Sequence, residues 1–237
     1  MRQGARIGVV IPALNEEQAI GNVVRDIPAW VDVIVVADNG SRDRTAEVAT
    51  AAGAVVVHEA ERGYGAACLA GIQKAGAVDI VVFVDGDYAD HVEDMAGVVD
   101  PIITQEQDFM LVSRALGERE NGALTPQQQF GNWLATRLIR LFWGARYTDL
   151  GPFRAIRRTA LEKLRMADRN YGWTVEMQIK AAEHGLKFAE VPGRYRRRIG
   201  VSKVSGTVKG TIMAGYKILL IIARHAIRRQ RAAPARA

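Results

Sequence analysis

Short runs of consecutive apolar residues, each closed by a polar turn, punctuate the first half of the chain. The runs 7–11, 33–37, 55–58 and 80–84 are apolar almost throughout rather than alternating. Strands of that kind are covered on both faces, which points to a parallel sheet. Helical spacing fills the gaps: 16–26, closed by Pro28; 44–52, followed by Gly53; and 65–75, followed by Gly76. Glycine just past a helix and proline soon after it are stop signals. This β-α-β rhythm predicts an α/β fold, a mostly parallel, Rossmann-like sheet flanked by helices.

The second half is less regular. Residues 109–112, 153–156 and 188–191 read as short strands, with a helix near 175–183. Residues 117–129 are polar, contain Gly122 and Pro126, and read as a loop before an amphipathic helix at 130–143. Residues 212–223 are apolar except for Lys217, and an arginine-rich tail follows. No repeat is evident, and no linker is long enough to split the chain into independent domains.

Composition narrows the setting. The chain has 237 residues and a single cysteine, Cys68, so no internal disulfide can form and a reducing cytoplasm is expected. No secretory pattern opens the sequence, and no segment reaches the roughly 20 apolar residues of a membrane-spanning helix. The net charge of +6 is concentrated late, in Arg194, Arg196, Arg197 and Arg198 and again in Arg224, Arg228, Arg229 and Arg231. Such clusters suit nucleic acid, anionic lipid or phosphorylated substrates, and composition does not choose among them.

Candidate chemistry sits at the strand ends. Asp85-Gly86-Asp87 closes the run 80–84. Paired carboxylates at a sheet's carboxyl edge suit Mg²⁺ or Mn²⁺, which shares its shell with substrate phosphates; the alternative is a solvated turn. Pro12-Ala13-Leu14-Asn15-Glu16-Glu17 follows the first strand and reads as a nucleotide contact or a capped helix start. After the second strand, Asp38 can accept an N–H from a nucleobase, uracil or guanine, while Asn39-Gly40 turns the chain. After the third, Arg62-Gly63-Tyr64-Gly65 offers close backbone approach and an arginine for phosphate. Successive strand tips of a parallel sheet lie along one edge, so these segments should converge.

At this point the chain resembles glycosyltransferase family 2, with Asp85-Gly86-Asp87 matching its DxD metal motif. The resemblance continues through Asp149-Leu150-Gly151-Pro152-Phe153-Arg154, Trp173-Thr174-Val175-Glu176, Val191-Pro192 and Arg198-Ile199-Gly200-Val201-Ser202-Lys203. That ending is similar to the branch of dolichyl-phosphate mannose synthase and the bacterial polyprenyl-phosphate glycosyltransferases. The resemblance implies a GT-A fold over 1–207, with a nucleotide-sugar half of about 1–115 and an acceptor half of about 116–207, then a C-terminal amphipathic helix and basic tail over 208–237. It implies a metal-dependent inverting transferase moving a hexose from a UDP- or GDP-sugar to a polyprenyl or dolichyl phosphate, with Asp85 and Asp87 holding Mg²⁺ or Mn²⁺.

By the same resemblance the nucleotide-sugar contacts are Pro12, Asn15, Glu16, Asp38, Gly40, Arg62, Gly63, Asp85, Gly86, Asp87 and Arg114. The acceptor contacts are Asn132, Asp149, Trp173, Arg198, Ser202 and Lys203, and the catalytic set is Asp87, Arg154, Glu176, Arg198 and Lys203. Two segments depart from the pattern. Ala89 stands where the mannose synthases often carry a glutamine ligand, leaving Asp90, His91 or water to compensate. Gln127-Gln128-Gln129 stands where those enzymes grip the acceptor phosphate with basic residues.

If the acceptor is instead a hydroxyl, a base is required, and Glu176 or Asp149 are the candidates. Expected partners are the donor, a polyprenyl phosphate and an anionic membrane surface met peripherally by 130–143 or 212–223, with a homo-oligomer left open. The alternatives are a soluble family 2 transferase with a hydroxyl acceptor, or a non-catalytic nucleotide-sugar binding module. Nucleic acid is disfavoured by the sign of the Asp85/Asp87 pair, and a Rossmann dehydrogenase by the lack of G-x-G-x-x-G after the first strand.

Overall fold

The computed structural model describes residues 1–200 and 208–232. Seven strands form one sheet in the order β3-β2-β1-β4-β6-β5-β7. They are β1 (Ile7–Ala13), β2 (Val33–Asp38), β3 (Val55–His58), β4 (Ile80–Phe83), β5 (Phe109–Ser113), β6 (Arg154–Arg157) and β7 (Phe188–Pro192). β1 is buried along its whole length and pairs in parallel with both β2 and β4. The chain moves outward from β1 to β2 and β3, then returns to place β4 on the other side of β1. That reversal opens a crevice at the carboxyl ends of β1 and β4, where open α/β sheets bind ligands.

Only β6 runs against the others, antiparallel to β4 and β5. Its first residue, Arg154, faces Phe83 at the end of β4 and Leu111 near the end of β5. The 149–153 segment therefore enters β6 from the edge at which β1, β2, β4, β5 and β7 finish. One antiparallel strand brings the second half of the chain back to the site.

Helices cover both faces, as the unbroken apolar runs require. Side chains alternate along β1: Ile7, Val9 and Ile11 pack on one face and Val10 on the other. On the first face lie α1 (Ile20–Asp26), α2 (Thr45–Ala51) and α4 (Ala96–Ile103); on the second lie α3 (Tyr64–Ala75), α5 (Pro126–Trp143), α6 (Arg158–Leu164), α7 (Trp173–Glu183) and α8 (Val208–Ala232). Trp173 of α7 is fully buried and meets Phe83 edge-on, with ring centroids 6.0 Å apart.

Three boundaries differ from the sequence reading. The polar loop expected over 117–129 ends sooner, because Thr125 caps α5: its hydroxyl accepts from Gln128 N–H while Gln128 Oε1 accepts from Thr125 N–H, with Pro126 in the first turn. The first helix starts at Ile20 rather than at residue 16, since Asn15 sits at φ 53° and residues 16–19 form turns. The arginine-rich tail continues as helix, so α8 carries Arg224, Arg228, Arg229 and Arg231 through to Ala232. α4 and α6 answer to no sequence expectation.

Candidate active site

A cleft of about 1030 Å³ opens along the carboxyl edge. Pro12, Glu16, Asn39, Arg62, Gly63 and the Asp85–Asp87 tip line one end. Asn132, Trp133, Arg137 and Arg140 of α5 and Ala214, Gly215 and Ile218 of α8 line the other.

Asp85 follows β4 and is held by the Tyr64 hydroxyl, which donates to its Oδ1 at 3.0 Å. Burial, with the charge of Asp87 adding to it, pushes the Asp85 carboxyl up to about 6. Burial and the same carboxylate also raise the Tyr64 phenol well above its ordinary value, keeping it a donor. Asp87 accepts from Ala89 N–H at 3.0 Å and forms an ion pair with Arg198. Two close carboxylates, one resisting ionisation, with the single guanidinium of Arg198 paired to Asp87, leave room for further positive charge. The donor set fits a hard divalent cation: oxygen only, and among the described residues no group of three or more acidic, His or Cys side chains closes a cage. Asp85 and Asp87 are the residues that could hold such an ion, which takes oxygen ligands. Neither substitute for the position of Ala89 joins them. Asp90 is buried with Oδ2 unpartnered and does not line the cleft, and His91 pairs with Glu93 at 2.7 Å.

Next to the tip the backbone is strained. Tyr88 sits at φ 64°, rare for an aromatic residue. Its hydroxyl donates to Asp26 at 2.5 Å and the Arg196 guanidinium lies 3.7 Å over its ring, two restraints that fix the conformation. The 195–199 segment runs beside it, with Arg196 N–H on Ala89 O and Ile199 N–H on Asp87 O.

The late arginine cluster is thus engaged with its own chain. Arg194 pairs with Asp94 and Arg198 with Asp87, while Arg197 donates to Asn121 O. Arg114 makes a two-pronged pair with Asp149, at 2.7 and 2.8 Å. Burial alone would raise Asp149, but the charge and hydrogen bonds of Arg114 overrule it and hold the carboxyl below its usual range. Asn132 donates to Thr148 O and accepts from Leu150 N–H, so it fixes the loop carrying Asp149.

Of the other expected site residues, Arg114, Asn132 and Asp149 line the cleft, whereas Asp38, Asn15 and Gly40 are not part of its lining. Asp38 accepts from Ser41 N–H and faces His58 Nδ1, both at 3.1 Å; its neighbour Asn39 reaches the cleft and bonds the 59–63 loop. Three more expected residues fall outside the cleft lining. Arg154 is buried, donating to the carbonyls of Leu150, Gly151 and Thr174. Trp173 belongs to the core. Glu176 accepts from Ala167 and Asp168 N–H and pairs with Lys180 at 2.7 Å. Ser202 and Lys203 lie outside the described residues. The expected site residues did not include Tyr64 and Arg146, nor Trp133, Arg137 and Arg140 of the 130–143 helix, which also line the cleft; positions 133, 137 and 140, one helical turn apart, are the signal that these share one face.

The chain matches the family model described as Glycosyl transferase family 2 over residues 8–165. It is 35% identical over 221 residues to an uncharacterised glycosyltransferase of Mycobacterium tuberculosis, covering 89% of this chain and 95% of that one. It is 34% identical over 201 residues to the dolichyl-phosphate hexose transferase of Haloferax volcanii, covering 84% of this chain and 86% of that one. In structure it is similar to glucosyl-3-phosphoglycerate synthase from Mycobacterium tuberculosis in complex with Mn²⁺, UDP-glucose and phosphoglyceric acid, with TM-score 0.76, 25% identity, and coverage of 94% of this chain and 80% of that one. The family match runs from β1 to the end of α6 and takes in the Asp85–Asp87 tip, the 149–153 segment and Arg154: the chain belongs to glycosyl transferase family 2 and is a glycosyltransferase with a GT-A fold.

Proposed function

We propose that this glycosyltransferase is metal-dependent and moves a hexose from a UDP- or GDP-sugar, with inversion, to a polyprenyl phosphate at an anionic membrane surface facing the cytoplasm. One observation carries the reading: the cleft runs from an acidic strand tip to a wall made by α5 and α8, helices that also expose Phe130, Leu141, Ile212, Met213 and Tyr216. Exposed apolar residues beside arginines suit a helix lying in a membrane interface. Among the described residues no helix is long and apolar enough to cross a membrane. The similarity to a dolichyl-phosphate hexose transferase supports the same acceptor.

In the reaction an acceptor oxygen bonds to the anomeric carbon as the bond from that carbon to the diphosphate oxygen breaks. Negative charge gathers on the departing diphosphate. Asp85 and Asp87 would hold a divalent ion, which would supply positive charge at that place. Arg198, already at Asp87, adds a guanidinium beside it. Tyr64 keeps Asp85 oriented. On the acceptor side, Asp149 gives its oxygens to Arg114, and Glu176 gives its own to backbone amides and Lys180. Neither has the freedom of a general base. A phosphate acceptor is already anionic near neutral pH and needs none, which weighs against a hydroxyl.

A hydroxyl acceptor on a small soluble molecule is the second reading, favoured by the similarity to a synthase bound to phosphoglyceric acid. The deciding experiment offers UDP-glucose, UDP-N-acetylglucosamine and GDP-mannose with Mn²⁺, and measures nucleoside diphosphate release with polyprenyl phosphate in vesicles or with soluble sugars. Release confined to the lipid phosphate is expected; equal turnover on soluble hydroxyls overturns the reading.

A further inference from the structure

We infer that Arg137, Arg140 and Arg146 form the subsite that holds the phosphate of the acceptor. The inference rests on the phosphate-acceptor reading above and names the residues that would carry it.

All three line the cleft, and all three are exposed. Arg137 and Arg140 are one turn apart on α5, so both point from the same face. Arg146 follows two residues after Gly144, whose φ of 74° ends the helix in a left-handed turn and folds the chain back. Arg137 lies over the Trp133 ring at 5.9 Å, a contact that steadies a guanidinium without neutralising it. Among the described residues none of the three forms an ion pair, in contrast to Arg114 and Arg198.

That contrast decides the assignment. Arg114 is bound to Asp149 and Arg198 to Asp87, so neither is free to take a second anion whole. Gln127, Gln128 and Gln129, earlier on the same helix, line the cleft but carry no charge. Arg119, on the loop before α5, faces the same cleft as a single exposed residue. Three like charges on one wall repel, and a dianionic phosphate between them removes that repulsion. Guanidinium forks match phosphate oxygens in pairs. Beside them, Ala214, Gly215 and Ile218 of α8 give an apolar surface for the carbon part of the acceptor.

The ligand chemistry is a phosphate monoester, whether it comes from a lipid or from a soluble metabolite. The test titrates the full chain, with Mn²⁺ and UDP present, against farnesyl phosphate, glycerol 3-phosphate and uncharged farnesol, reading calorimetric heat or tryptophan fluorescence. Arg137→Gln, Arg140→Gln and Arg146→Gln are made singly and together, each beside its lysine counterpart. UDP affinity and circular dichroism report whether each variant is folded. Each glutamine variant should weaken farnesyl phosphate about tenfold, the triple variant more than a hundredfold, and lysine should recover part of the loss. In transfer assays the loss should fall on the acceptor KM.

Wild-type affinity retained within twofold in the single and triple variants overturns the subsite while leaving the acceptor reading in place. If both phosphates bind equally and both weaken in the variants, the subsite stands and the lipid source falls. If the wild type binds neither phosphate and transfers to a neutral hydroxyl, both fall.

Discussion

Lys217 of α8 places its Nζ 2.9 Å from Oδ2 of Asp168, whose side chain is almost wholly buried. Asp168 Oδ1 accepts from Asn170 and Gly172 N–H, so one carboxylate folds the 168–172 turn and anchors the C-terminal helix. That turn packs on the start of α3, where Ala66 N–H donates to Arg169 O, and α3 carries the Tyr64 that holds Asp85. A continuous set of contacts therefore joins α8 to the acidic tip at Asp85. Lys217→Met should strand the Asp168 charge and cost about 1–3 kcal/mol, moderated by the partial exposure of the lysine. Hydrogen exchange should rise in α8 and in 168–172 together; loosening of α8 alone would break the proposed link.

Gly65 gives a second test of the same junction. A Cβ there would stand 2.0 Å from the Asp168 carbonyl oxygen, and Gly63 meets the Arg169 carbonyl just as closely. Backbone cannot yield as a side-chain tip can. Gly65→Ala should destabilise by about 2–4 kcal/mol and lower donor affinity, read by thermal unfolding with and without UDP and Mn²⁺. A variant as stable as the parent would show that the 168–172 turn is not rigidly seated.

The acidic tip makes a prediction about pH with its sign fixed. The Asp85 carboxyl is pushed from its ordinary 3.8 to about 6 in the folded chain, so the folded state holds the proton more tightly than the unfolded one. This group then favours folding below about pH 4 and loses that contribution as pH rises through 6. Metal-free wild type should lose more stability between pH 4 and 7 than Asp85→Asn, and Mn²⁺ should raise the melting temperature more at pH 7.5 than at pH 5, where the proton competes. Identical profiles for the two proteins would remove the burial argument. Asp87→Ala should abolish transfer while the fold survives, and a chelator should do the same to the parent.

The membrane reading has its own measurement. His225 pairs with Glu183 at 3.1 Å and Ala226 is buried, so cutting the chain after Ala223 would remove packing as well as charge. Replacing Arg224, Arg228, Arg229 and Arg231 by glutamine isolates the charge, since all four are exposed. Binding to phosphatidylglycerol vesicles should fall at least tenfold, and added salt should lower the parent toward the variant. Salt-independent binding of the parent would end the electrostatic account.

The chain itself announced the first four strands and the helices between them. Unbroken apolar runs meant strands covered on both faces, and glycines after 44–52 and 65–75 marked where helices stop; those elements formed close to where the pattern put them. The four strand-end segments reached one edge because parallel strands joined by helices must finish on the same side. Local chemistry also held a signal the first reading passed over, Thr125-Pro126 followed by Gln128, which starts α5 well before its apolar face begins.

Partnership was settled only by packing across distant segments. Asp149 and Glu176 read alike as candidate bases, yet one faces Arg114, just past β5, and the other is closed by its own helix and the turn before it. The clustered arginines at 194–198 suit an external anion by sequence, and the fold laid Arg194 on Asp94 and Arg198 on Asp87. Arg137, Arg140 and Arg146 were left without acidic partners among the described residues and turned toward the cleft. Hydrophobic periodicity is local and is written in the order of residues. Which charge meets which depends on how the antiparallel β6 and the returning α8 bring remote segments together, and no spacing along the chain encodes that.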